Sequence, residues 1–275
     1  MPLLVETRGP KFGKCNICGV ESKLTEDHTP PKGCLKIKQV ELHHIMEHLN
    51  LSAERAKGRL SQNGVKYRTL CGDCNNRLLG TEYDPEFIHF VNSVGTYLKA
   101  NIKLPSKMIV RAKPQRVMLS LLGHLCAQGV NRFDKGDITQ PIAEYFKQES
   151  KLLPNQIKIY FWPFPYNNHV MARDCALMDL KKKEPIVIWF LKFFPVGFLV
   201  TFNEPEEYDF GVVELSQWRS ESIDFETEVP IYLNKIMSQF WPEAPTKTSV
   251  VFYGNEAIAS FDWKKKLTMP STRTG

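Results

Sequence analysis

Two Cys-x-x-Cys hooks, Cys15-Asn16-Ile17-Cys18 and Cys71-Gly72-Asp73-Cys74, constrain this chain more than any other feature. Together they offer four soft ligands, enough to close a tetrahedral zinc site with no open position left for substrate, which makes such a site structural. Residues 19 to 70 separate the hooks, so a whole unit of secondary structure must be stapled between them. Four unliganded thiols in a core are the competing reading. It is disfavoured because both hooks sit in polar, glycine-containing turns. Four of the seven cysteines fall in the hooks, and in a reducing compartment that usage points to metal before disulfides.

Length and charge set the frame around the hooks. A chain of 275 residues has room for one or two domains, and 43% hydrophobic residues with a mean hydropathy of -0.29 describe a folded, water-facing protein. A net charge of +6, weighted towards the hook-bearing end, permits an anionic partner without requiring one. The first ten residues lack a basic start followed by a long apolar run, so cytoplasm is the expected location. The apolar stretch from Pro185 to Phe202 contains Lys192 and is broken by Pro195 and Gly197. It reads as two buried strands joined by a turn, not as a membrane span.

Between the hooks, a short strand over Ser22 to Thr25 carries the chain to Glu26-Asp27-His28, and Thr29-Pro30-Pro31 ends it. The insert up to Gly64 holds two expected helices, Glu41 to Leu49 and Ser52 to Leu60. After the Gln62-Asn63-Gly64 turn, Val65 to Leu70 alternates as a half-buried strand and delivers the second hook. A helix begun at Asn75 is expected to stop at Gly80, and a longer one starts with Asp84 as N-cap and Pro85 in its first turn. Residues 101 to 113 read as a linker with a domain boundary near 104. Beyond it come helices at Gln115 to Gln128 and Gln140 to Ser150. Strands follow at Ile157 to Phe161, Val170 to Met178, Ile186 to Phe193, Phe198 to Phe202, Val250 to Tyr253 and Ala257 to Phe261. The expected class is α+β: a zinc-stapled ββα domain over 1–104 and an aromatic-rich α+β domain over 105–275.

Asp27 and His28 gain meaning from their place between the hooks. Hydrolysis of a phosphodiester needs a base to activate water and a hard cation to hold the scissile phosphate. A neutral imidazole suits the first task near pH 7, and carboxylate or amide oxygens suit the second. The run Cys-x-x-Cys, Asp27-His28, Leu70-Cys71-x-x-Cys74-Asn75-Asn76-Arg77-Leu78-Leu79-Gly80 resembles the HNH (ββα-metal) endonucleases, most of all the endonuclease VII type with its four-cysteine zinc site.

That resemblance covers about residues 11 to 84. It implies His28 as general base and Asp27 with Asn75 as ligands of a catalytic Mg2+ or Mn2+. Cys15, Cys18, Cys71 and Cys74 are the implied ligands of structural Zn2+, and DNA the implied substrate. Many such enzymes carry His where Asn75 stands, and Asn76 is the alternative ligand. Asn63 is the candidate for the loop-bracing Asn.

Lys32, Lys66, Arg68 and Arg77 are the candidate phosphate contacts. The competing reading is an ordinary solvated surface. His43, His44 and His48 read as a solvated helix face and Cys34 as packing. No membrane partner is expected, whereas a homodimer is compatible with the sequence. Residues 105–275 are open to a regulatory or sensing role, as in antiviral defence systems. A zinc-stabilised module that binds nucleic acid or a partner without cutting is the rival function.

Overall fold

The computed structural model describes residues 6–34, 39–49, 58–100, 105–181, 184–206, 208–244 and 246–262. It is a mixed α and β structure with more sheet than helix. The chain opens with β1 (Phe12–Lys14), β2 (Glu21–His28), β3 (Gln39–His44), the short helix α1 (Ile45–Leu49), β4 (Arg59–Gln62) and β5 (Lys66–Cys71). β5 alternates as its sequence predicts and pairs antiparallel with β2, which pairs with β1 in a three-stranded sheet. Both hooks therefore hang from this small sheet. Gly19, at φ +70, makes the tight turn after the first hook that a side chain would strain.

After the second hook a π-helical segment, Asp73–Tyr83, runs without a break into α2 (Asp84–Leu98). The Asp84 N–H reaches back to the Leu79 carbonyl, the wider closure of a π-helix. The expected stop at Gly80 is therefore absent. Asp84 is no N-cap either; its carboxylate turns inward to Ser120 and His124.

The second half adds β6 (Lys107–Ala112), α3 (Pro114–Ala127), α4 (Thr139–Phe146), β7 (Ile157–Pro163), β8 (His169–Asp179), β9 (Pro185–Phe193) and β10 (Val196–Phe202). It closes with β11 (Val213–Glu214), β12 (Thr227–Tyr232), β13 (Ser249–Phe252) and β14 (Ile258–Asp262). β9 and β10 form the expected buried hairpin in a large antiparallel sheet of order β11-β7-β10-β9-β8-β14-β3-β4, with β13 on β8. Among the described residues no helix is long and apolar enough to cross a membrane.

Three expectations fail for reasons of long-range pairing. The expected helix Glu41 to Leu49 is strand β3 plus one turn of helix, because β3 pairs with β14 from the far end of the chain. Of the expected helix Ser52 to Leu60, residues 52–57 lie outside the described residues, and Arg59–Gln62 is β4. The expected linker contains β6, which pairs with β12.

Packing runs straight across residue 104. Phe87 and Phe90 of α2 pack against Phe198 and Phe161 of the large sheet, the second pair edge to face, with ring centroids 5.3 and 5.1 Å apart. α3 is the hub: every residue in it except Arg116 is buried, and it touches β2, β5, the π-helix, α2 and β8. Its buried Leu, Val and Met side chains each contribute about 1.5–3 kcal/mol by leaving water. One core thus joins the hook-bearing half to the large sheet, and a second, aromatic cluster covers the opposite face of that sheet.

Candidate metal and catalytic centre

The four hook thiols converge, their sulfur atoms all lying within 4.8 Å of one another. Cys15, Cys71 and Cys74 are buried and Cys18 is half-buried. A zinc tetrahedron with Zn–S of about 2.3 Å has S···S edges of about 3.8 Å; the Cys18 and Cys71 sulfurs are 3.8 Å apart. The Cys74 N–H points at the Cys71 sulfur at 3.4 Å, as an amide that stabilises a thiolate should. The Cys15 thiol beside it brings Cys18 down to about 7, so a thiolate forms readily there. The cluster could hold a metal such as zinc.

The cluster is bolted to the end of α3. Helix C-termini leave carbonyls without intrahelical partners. Asn16, inside the first hook, donates its amide to the Cys126 and Gly129 carbonyls at 3.1 and 2.8 Å. The Thr69 hydroxyl donates to the Ala127 carbonyl at 2.6 Å, and the Lys135 ammonium donates to the Asn16 carbonyl.

Asp27 and His28 end β2, just past a bulge between Thr25 and Glu26. The pleat sends them to opposite faces. His28 is half-exposed, while Asp27 is only 3% exposed and faces α3. Burial first, then Lys32 and Lys66, hold the His28 imidazole down at about 4, so it is neutral at pH 7.

Of the two asparagines, Asn75 is buried and donates its amide to the Thr25 hydroxyl at 2.9 Å and the Glu26 carbonyl at 3.1 Å. Both donor bonds go to β2, which leaves the amide oxygen as a hard acceptor. Asn76 is exposed.

The surroundings of Asp27 were not legible in the sequence. Its Oδ2 accepts from His124 Nδ1 at 2.8 Å and from the Thr29 hydroxyl at 3.1 Å. His124 Nε2 lies 2.9 Å from Asp84 Oδ1, which also accepts from the Ser120 hydroxyl at 2.8 Å. A carboxylate at each ring nitrogen favours the imidazolium form of His124, while burial pushes the Asp27 carboxyl up. Burial alone pulls His124 down, but Asp27 and Asp84 outweigh burial and push it up to about 10. Asp27 Oδ1 makes no hydrogen bond among the described residues. The single available signal was a histidine on an otherwise apolar helix, which says nothing about its partners.

The expected basic contacts divide. Lys32 is exposed and acts on His28 electrostatically, as does half-buried Lys66, which also lies 3.6 Å from Glu26. Arg68 is spent on the Gly9 carbonyl at 2.8 and 2.6 Å, holding the N-terminal segment, and so turns away from the role expected of it. Arg77 pairs with Asp73 on the exposed side of the π-helix. Asn63 is an exposed turn residue at φ 61.

His43, His44 and His48 are buried, not a solvated face: His43 lies between Glu41 and Glu47, and His44 makes a 3.2 Å contact with the Gly254 carbonyl. Cys34 stays outside the thiol cluster, and burial pushes its thiol up, as packing predicts. No family model, curated protein or solved structure matches this chain.

Proposed function

We propose that the end of β2 is the active site of a metal-dependent endonuclease of the HNH type that hydrolyses phosphodiester bonds in DNA. One observation carries the reading: Asn75 spends its amide hydrogens on β2 and Asp27 makes its hydrogen bonds through Oδ2, which leaves an amide oxygen and Oδ1 as hard donors among the described residues, and the next residue along β2, His28, is a half-exposed neutral imidazole. In this reading His28 takes a proton from water that attacks phosphorus. Lys32 and Lys66 draw in the phosphodiester backbone, and burial together with their charge keeps His28 unprotonated before it acts. Asp27 and Asn75 would hold Mg2+ or Mn2+, and the donor set of one carboxylate and one amide oxygen fits such an ion. When bound, the ion polarises the phosphate and steadies the leaving oxygen. Cys15, Cys18, Cys71 and Cys74 would hold Zn2+ and fix β2 against the π-helix.

The burial of Asp27 favours a second reading, in which the same face binds nucleic acid without cutting. Plasmid DNA incubated with the full-length protein and Mg2+ or Mn2+ separates the two. The nuclease reading expects nicking that EDTA stops and added Mg2+ restores, with zinc retained throughout, and loss of turnover in Asp27→Ala. Binding without cleavage, with Asp27→Ala binding as well as the parent, establishes the module instead.

A further inference from the structure

We infer that His124 of α3 is a positioning residue for Asp27: it pins one carboxylate oxygen and thereby presents the other to a divalent cation. The inference rests on the nuclease reading and adds to it a residue from the second half of the chain. Three observations carry it. Both donors on Asp27, His124 Nδ1 and the Thr29 hydroxyl, converge on the same oxygen, Oδ2, so Oδ2 is the anchored oxygen and Oδ1 makes no hydrogen bond among the described residues. The imidazole is itself clamped from behind by Asp84, and Asp84 by Ser120, so each link in the chain is fixed by the next. His124 and Asp27 sit at 1% and 4% side-chain exposure, where such bonds are undisturbed by water.

A histidine used only to fill space would not need a carboxylate on each ring nitrogen. Partners that orient a metal ligand are worth about 10–100-fold in metal affinity when lost. By this geometry the second half of the chain is part of the site, because α3 supplies the group that aims Asp27.

Two isosteric variants isolate the contact. His124→Asn keeps an amide donor where Nδ1 stands, facing Asp27, whereas His124→Gln keeps one where Nε2 stands, facing Asp84. Mn2+ binding is measured by electron paramagnetic resonance on the full-length zinc-loaded proteins without DNA, alongside melting temperature, zinc content and cleavage. The expected result is that His124→Gln weakens Mn2+ binding by about 10–100-fold while His124→Asn stays within about threefold of the parent. Cleavage by the Gln variant should recover at saturating Mn2+.

Equal Mn2+ affinity in both variants and the parent, or losses in both that simply follow melting temperature, overturn the inference. Should the Gln variant not fold, Asp84→Asn loosens the far end of the imidazole and leaves Asp27 intact. Weakened Mn2+ binding supports the inference and parental binding overturns it. If the parent binds no Mn2+, or Asp27→Asn binds it unchanged, the nuclease reading itself fails.

Discussion

The thiol cluster and the Asp27–His124–Asp84 network are both buried groups of polar side chains, and they are built in opposite ways. The thiols come from two local hooks, each fixed by its own turn, and could hold a metal such as zinc. The carboxylates and imidazole come from β2, α2 and α3 and neutralise one another through hydrogen bonds of 2.8 and 2.9 Å. The first is locally encoded and suited to hold an ion; the second is assembled only by the finished fold. A protein can thus carry a site readable from spacing beside one that exists only once α3 is docked.

The largest effect expected from this contrast is on zinc. Cys74→Ser should abolish zinc binding and unfold the small sheet, since structural zinc contributes about 10–16 kcal/mol in small peptides. Metal analysis and circular dichroism would show it, and a folded, zinc-free variant would break the comparison. Removing the centre of the other cluster, His124→Ala, leaves two buried carboxylates facing each other and should cost about 3–5 kcal/mol in denaturant unfolding. Zinc should remain stoichiometric in the fraction that is folded.

Asn16→Ala cuts the tie between the two sites, stranding carbonyls at the end of α3, and should cost about 1–3 kcal/mol. Gly123→Ala tests the seating of α3 on the π-helix. Its new methyl would sit 2.5 Å from Leu79 and 2.7 Å from Phe146, so about 1–3 kcal/mol should be lost to overpacking.

The smallest effect is a divergence with pH. Zinc on thiolates weakens as acid protonates the sulfurs. His124 behaves in the opposite sense: its pKa is raised from 6.5 to about 10, so its stabilisation is full below about 6.5 and is lost as pH rises through 10. Urea midpoints across that alkaline window should fall in the parent and fall less in His124→Gln. Parallel curves would remove the imidazolium from the account.

Legibility in the sequence follows the same division. The hooks, the alternation of β5, the stripe of α2 and the hairpin at Pro185 to Phe202 all announce themselves within a few residues. β3 does not. Its Val40 and Leu42 face inward only because β14 lies beside them, and a helical reading of Glu41 to Leu49 has nothing local to contradict it. Asp84 looks like a cap because capping is the commonest use of an Asp before Pro; its real partners are on α3. Asn75 and Asn76 are chemically identical in sequence, and only the pitch of the π-helix turns one to β2 and the other to solvent.

The central claim is that His28 activates water at a site kept separate from the zinc. Plasmid nicking by the full-length parent and by His28→Ala, with Mn2+ present and zinc quantified in both, tests it most directly. The account predicts nicking by the parent and a loss of about 100-fold or more in His28→Ala at unchanged zinc content. A parent that leaves the plasmid intact, or a His28→Ala protein that nicks as fast, contradicts it.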